Sequence, residues 1–251
     1  MLATDSVEVG GIPFTRTSFN DAVKLVIDVA VDGRPVAIRL ANAYCVASAS
    51  KDRSYAELLS SSGINFPDGQ PVVWAMRLNR TSRTLCERVR GPSLFRSTID
   101  LGRAHSVRHF FLGTTPATLL DLQARIALEY PGTAVAGSFA PPFGELTPEF
   151  YSTVVAEILA TDAQIVWVAL GSPKQDFAAE IITQLTSIPC VGVGAAFDFL
   201  AGTQDEAPTL VQRSGFEWMY RLIKELRRLW RRYIFGNIRF LAVVVGRRKR
   251  R

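Results

Sequence analysis

From residue 108 onward short apolar runs alternate with longer amphipathic ones, and this rhythm constrains the fold more than any other feature of the chain. Strands are expected at about 108–112, 133–138, 164–170 and 190–193, and helices at about 116–129, 148–160 and 174–187. Alternating β and α segments with short, continuously apolar strands imply a parallel sheet covered on both faces. The first half is less regular. Val7 to Phe14 carries Gly10-Gly11 and predicts a hairpin. Ser18 predicts the cap of a helix running to about Val31, and Pro35 to Ala41 predicts a buried strand. Helical stretches follow to about Leu59. Ile64 to Phe66 then predicts a short strand, Pro67-Asp68-Gly69 a turn, and Pro71 the first turn of a helix to Leu78.

The 251 residues suffice for one large domain with a small appendage, and a composition of 48% hydrophobic and 21% charged residues is that of a globular protein. Charge is unevenly spread. Residues 213–251 hold 13 basic and two acidic residues, a charge of +11, whereas residues 1–212 carry −5. A mildly acidic body joined to a strongly basic tail points to a polyanionic partner, either a membrane surface or nucleic acid. Three widely spaced cysteines, Cys45, Cys86 and Cys190, with no C-x-x-C pair, argue against a disulfide framework and for a reducing compartment. Met1 to Gly10 shows no signal-peptide pattern, and the apolar run Phe240 to Val245 is far shorter than a membrane span.

In a parallel sheet, ligands bind beyond the carboxyl ends of the strands. Three predicted strand ends run into small residues and then a helix. They are Leu112-Gly113-Thr114-Thr115, Leu170-Gly171-Ser172-Pro173-Lys174-Gln175 and Val193-Gly194-Ala195-Ala196-Phe197-Asp198. Glycine lets a ligand approach the backbone, and the N–H groups of the following helix suit phosphate. Each loop taken alone is equally what any α/β protein needs at a helix start; three in one sheet favour an anionic nucleotide. In the second loop Ser172 fits an N-cap and Pro173 the first helical position. None of the three is a Walker loop or a complete G-x-G-x-x-G. No two acidic residues stand at i and i+2, so a D-x-D metal clamp is absent, and His105 and His109 flank a strand, so neither a metal site nor another cofactor is expected. Asp68 is either an ordinary turn aspartate or a carboxylate held on a rigid turn to accept a proton.

Phe216 to Phe235, placed on one helix, sets Met219, Leu222, Ile223, Leu226, Leu229, Trp230 and Tyr233 on one face. Arg221, Lys224, Arg227, Arg228, Arg231 and Arg232 lie on the other. Such a helix fits a membrane interface, a packed helix with a solvated basic face, or a nucleic-acid arm, and the terminal cluster Arg247 to Arg251 favours anionic lipid.

At this point whole strings become recognisable. They include Asn65-Phe66-Pro67-Asp68-Gly69, Arg88-Val89-Arg90-Gly91-Pro92-Ser93-Leu94-Phe95 and Ala169-Leu170-Gly171-Ser172-Pro173-Lys174-Gln175-Asp176. Phe111-Leu112-Gly113, Gly137-Ser138 with Pro141-Pro142-Phe143, Gly192 to Gly202 with Phe197-Asp198-Phe199-Leu200-Ala201-Gly202, and Gly215-Phe216-Glu217-Trp218 with Tyr220-Arg221-Leu222 complete the set. In these the chain resembles the WecG/TagA/CpsF family of bacterial glycosyltransferases (glycosyltransferase family 26). The resemblance implies an α/β, Rossmann-like parallel-sheet core over 1–208 and a C-terminal basic amphipathic helical appendage over 209–251. It implies metal-independent transfer, with inversion, of a hexose or N-acetylhexosamine from a UDP-sugar donor to a polyprenyl-diphosphate-linked sugar acceptor. The setting it implies is surface polysaccharide synthesis on the cytoplasmic face of the cell membrane, with an anionic membrane surface as partner and no nucleic acid. A homo-oligomer is compatible with it. Residue by residue it makes Asp68 the catalytic base. Asn42, Arg88 and Gln175 become substrate-pocket residues, and Arg221, Arg228 and Arg231 the cations that meet diphosphate. Gly113, Thr114, Gly171, Pro173, Lys174, Gly194, Phe197 and Asp198 form the nucleotide loops. The chain departs from the family pattern at Leu40-Ala41-Asn42-Ala43-Tyr44-Cys45, where Thr-x-Asn-Ala-Glu-His is common, and at Asp205-Glu206, where a basic pair is usual. Both departures leave the donor sugar open. The rival from another class is a non-catalytic nucleotide-sugar or nucleic-acid binding protein that uses the basic tail.

Overall fold

The computed structural model describes residues 5–61, 63–78, 86–215, 217–224 and 226–248. An antiparallel hairpin opens the chain, β1 (Ser6–Val9) with β2 (Ile12–Thr15). Helix α1 (Phe19–Val31) starts at the predicted cap, where the Ser18 hydroxyl accepts from the Asp21 N–H at 3.1 Å. Six strands then form one sheet: β3 (Ala37–Ala41), β4 (Ile64–Pro67), β5 (Arg108–Gly113), β6 (Ala134–Phe139), β7 (Ile165–Ala169) and β8 (Cys190–Gly192). Their order is β4-β3-β8-β7-β5-β6, and every pairing is parallel. The parallel sheet expected from the rhythm of the second half, and the α/β, Rossmann-like core that the resemblance implies, are therefore present.

Period-two alternation sends successive side chains to opposite faces. On β5 and β7, Phe111 and Trp167 face a core built with α1, α5 (Gly91–Gly102), α6 (Pro116–Glu129) and α9 (Ala196–Ala201). Phe110, Leu112, Val166 and Val168 face the other layer, with α7 (Pro148–Leu159) and α8 (Lys174–Thr186). A further apolar cluster lies under the hairpin, α2 (Ala43–Ala49), α3 (Arg53–Ser60) and α4 (Gln70–Arg77). Helix α5 has no counterpart among the expected elements. Its Gly-Pro start hid it, although Leu94, Phe95, Thr98 and Ile99 recur at helical spacing and are fully buried.

Among the described residues neither histidine belongs to a group of metal-ligating side chains. His105 is exposed, whereas His109 lies within β5 and is buried, its Nδ1 accepting from the Trp167 indole at 3.0 Å. An acceptor at Nδ1 with no countercharge is neutral imidazole, and burial pushes its pKa down to about 4.

The tail comprises α10 (Thr209–Ser214), α11 (Glu217–Lys224) and α12 (Leu226–Arg248). The helix expected over 216–235 falls on α11 and the first part of α12; Phe216, Glu225 and the side chains of Leu226, Leu229 and Tyr233 lie outside the described residues. Met219 and Ile223 on α11 and Trp230 on α12 are exposed, and residues further along α12 pack on the body. Phe240 is 3% exposed and, with Val243 and Val244, joins the cluster under the hairpin and α2. Arg239 donates to the Ser50 hydroxyl at 2.7 Å. One face of α12 is therefore spent on the body, while Phe235, Ile238, Leu241 and Val245 point outward, each more than half exposed. No helix among the described residues is long and apolar enough to cross a membrane.

Candidate active site

The carboxyl edge of the sheet carries two differently built regions. The first lies beyond β3 and β4. Ala41 pairs with Pro67 in register, so the next residues, Asn42 and Asp68, leave the sheet side by side. Asn42 caps α2, its Oδ1 accepting from the N–H groups of Tyr44 at 3.0 Å and Cys45 at 3.4 Å. The Asp68 N–H donates to Ala41 O at 3.0 Å, and its Oδ1 accepts from the Gly91 N–H, at the start of α5, at 3.4 Å.

Segment 86–90 runs alongside, tied by the Val89 N–H to Pro67 O at 2.9 Å. In this extended stretch Val89 enters the core, so Arg88 and Arg90 face together the other way, toward the tail. There they meet Glu217, the first residue of α11. Arg88 donates to Glu217 Oε2 at 2.5 Å and to Gln212 O at 2.9 Å. Arg90 grips the same carboxylate with Nε at 2.9 Å from Oε2 and Nη2 at 2.8 Å from Oε1. Its Nη1 pairs with Glu206, which also accepts from Arg96 at 2.7 Å. Burial raises the Glu206 carboxyl, but hydrogen bonds and charge from Arg96 and Arg90 outweigh it and hold the pKa below the usual range. Of the acidic pair Asp205-Glu206, a departure from the resemblance, Glu206 is thus answered by arginines and Asp205 by Lys224 at 3.5 Å.

These residues enclose a pocket. Its floor is Asn42, Ala43, Tyr44, Asp68, Gly69 and Gln70; Arg88 and Arg90 form one wall; Gly215, Glu217, Trp218 and Asn237 of the tail close it. Asp68, Asn42 and Arg88, expected from sequence, come together here. Arg90, Glu217, Tyr44, Trp218 and Asn237 were not singled out as site residues. The one available signal was the i, i+2 pairing of Arg88 with Arg90 beside a tail poor in acids. The side chains of Arg221, Arg228 and Arg231 lie outside the described part of the structure, although their helices lie within it.

The second region lies beyond β5, β7 and β8. Strand β5 leaves through α6 toward β6, whereas β7 leaves through α8 toward β8 on the other side, so the loops of two neighbouring strands diverge. Gly171 (φ +76°) and Gly194 (φ +59°) line this opening, and a Cβ at either would meet nothing within 4 Å. Gln175, only 3% exposed, braces the two loops. Its Oε1 accepts from the N–H of Gly171 at 3.2 Å and of Gly194 at 3.0 Å, and its amide donates to the Ser172 hydroxyl at 3.2 Å. It holds the loops; its amide is already engaged. Ser172 therefore serves Gln175, and the N-cap position falls on Pro173, one residue later than expected. Thr114, at φ +56°, bonds Asp198 at 3.3 Å. Gly113 is pressed against Ala169 of β7. Two expected nucleotide contacts take other roles. The Phe197 ring is fully buried against Phe95 and Phe111, so only its backbone can meet a ligand, and Lys174 bonds Gly144 O and lies over the Phe143 and Phe150 rings. Among the described residues no group of three His, Cys, Asp or Glu side chains is placed to hold a metal.

The profile of the glycosyl transferase WecG/TagA/CpsF family matches residues 7–251. The chain is 30% identical over 188 residues, 74% of its own length and 70% of the relative's, to an N-acetylglucosaminyldiphosphoundecaprenol N-acetyl-beta-D-mannosaminyltransferase of Bacillus subtilis. It is 31% identical over 187 residues, with the same coverage, to the protein of the same name from Bacillus spizizenii.

Proposed function

Because the chain belongs to the WecG/TagA/CpsF family of glycosyl transferases, we propose that it transfers a hexose or N-acetylhexosamine from a UDP-sugar to a sugar on a polyprenyl diphosphate, with inversion. The observation that carries this reading is the shared pocket of Asn42, Asp68 and Arg88, closed by the tail. The acceptor hydroxyl enters this pocket, and Asp68 takes its proton as the oxygen attacks the anomeric carbon. The new C–O bond forms as the bond to the nucleotide diphosphate breaks on the opposite face. The diphosphate lies beyond β5, β7 and β8, where open glycine backbone and helix starts meet its charge. The relatives' names, which specify a diphosphoundecaprenol acceptor, support the acceptor class. With no D-x-D pair in the sequence, the reaction runs without a metal and withstands EDTA. The outward residues Phe235, Ile238, Leu241 and Val245, beside the basic terminus, rest on the cytoplasmic face of the membrane as a peripheral contact.

The test is a screen of UDP-sugars against a soluble polyprenyl-diphosphate sugar analogue, repeated with Asp68→Asn. The variant keeps the shape and loses the base, so kcat should fall by about 10²-fold or more. Wild-type turnover in Asp68→Asn would remove Asp68 from the mechanism.

A further inference from the structure

Five charged side chains alternate in a ladder that starts at the wall of the tail pocket: Arg88, Glu217 and Arg90, which line the pocket, then Glu206 and Arg96 behind it. Two of the links, from Arg88 and from Arg90, cross from the body to Glu217 on α11, spanning 129 and 127 positions of sequence. Glu217 is 5% exposed and engages Arg90 in a two-pronged fork. A guanidinium fork fits a phosphate as well as a carboxylate. Arg88 Nε is also buried and has no hydrogen-bond partner among the described residues, so this wall retains a donor that awaits an acceptor.

We propose that Arg88 and Arg90 form a diphosphate subsite, that Glu217 fills it in the empty protein, and that an entering diphosphate displaces Glu217 and loosens α11. The inference rests on the transferase reading for its choice of ligand. Its physical basis is competition between two anions for one pair of guanidiniums. A diphosphate brings more charge and more acceptor oxygens than one carboxylate, including one for Arg88 Nε. Glu206 stays on Arg90 and Arg96, so Arg90 keeps a carboxylate partner throughout the exchange. Ligand entry and release of the tail become one event, and when the ligand leaves, Glu217 returns to the fork and restores a carboxylate partner to Arg88 and a second one to Arg90.

The experiment is amide hydrogen exchange over residues 209–224 of the full chain, with inorganic pyrophosphate, UDP or farnesyl diphosphate, alongside binding of pyrophosphate. Pyrophosphate should speed exchange in α11 by about tenfold while helices of the body, such as α6, stay unchanged. Glu217→Gln keeps the size of the side chain and weakens the competitor. It should bind pyrophosphate about tenfold more tightly than wild type and show fast α11 exchange without ligand. Glu206→Gln, whose carboxylate is not on the tail, should leave α11 exchange in the empty protein near wild type. Acceleration by farnesyl diphosphate assigns the subsite to the lipid-linked acceptor; acceleration by UDP alone assigns it to the donor. Pyrophosphate binding that slows or spares α11 exchange, or Glu217→Gln binding no more tightly than wild type, overturns the proposal. No step requires sugar transfer, so a chain with a working latch and no transferase activity would sink only the functional reading.

Discussion

The two regions of the sheet's carboxyl edge are made from different materials. Beyond β5, β7 and β8 the surface is glycine backbone, braced from behind by one buried amide, Gln175, that reaches two separate loops through the N–H groups of Gly171 and Gly194. Beyond β3 and β4 it is side-chain charge, and its wall is completed by Glu217, more than a hundred residues from the arginines that hold it. The first region presents fixed dipoles that need no rearrangement to meet an anion. The second is a set of ion pairs already satisfied, so a ligand there must compete.

The ionic region should be the more costly to disrupt. Arg90→Ala removes the partner that Glu217 and Glu206 share and leaves two largely buried carboxylates with weakened compensation. A loss of about 3 kcal/mol or more is expected in urea unfolding, the usual cost of breaking a buried pair from one side. Proteolysis should first cut the tail, because α11 loses its strongest tie. If Arg90→Ala unfolds like wild type and its tail resists protease, the ladder contributes little and the two regions are less different than they look.

This contrast also explains what could be read in advance. The strands and helices of the second half were legible because their periodicity is local: α6 falls on the expected 116–129, and α7 and α8 end within a residue of expectation. Asp68 was legible as a turn residue in a string that resembles a family, and Asn42 only through the resemblance; its capping of α2 was not. The ladder was not, because nothing near Arg90 in sequence announces Glu217, and Glu206 stood out only as a departure. Phe197 misled for the opposite reason. It sits in a recognisable string, but the string is as much core as site, and its ring belongs to the core.

Beneath the backbone-built region lies a pH-sensitive element that no ligand needs to touch. His109 is neutral in the fold, its pKa lowered from 6.5 to about 4 by burial, and must take a proton when the chain unfolds in mild acid. A lowered histidine pKa means that the unfolded state binds more protons between these two values, so stability should fall as pH drops from 6.5 to about 4. The full effect is about 3 kcal/mol, from a shift of roughly 2.5 pH units. Denaturant midpoints across that window should flatten in His109→Gln relative to wild type. An unchanged slope would show that other groups carry the acid sensitivity. Because Trp167 donates to this ring, the substitution also reads whether β5 and β7 stay paired beneath the glycine loops.

The smallest expected effect bears most directly on the comparison, because it asks whether backbone alone makes the second region. Gly171 adopts φ +76°, and a Cβ there would meet no atom within 4 Å. Gly171→Ala therefore has room and suffers only the left-handed backbone, a cost of about 1 kcal/mol. Gly113→Ala is the control for crowding, since its Cβ would lie 2.5 Å from Ala169 O in the neighbouring strand and should cost more. If nucleotide binds on bare backbone, the Gly171 methyl occupies the approach, and UDP affinity should fall by about tenfold or more while the fold loses little. Binding of an acidic or diphosphate ligand at the tail pocket, beyond β3 and β4 and held by side chains, should be untouched by the same methyl group. Equal losses at both places would mean that one ligand spans the whole edge, and unchanged UDP affinity would move the nucleotide away from the glycine loops.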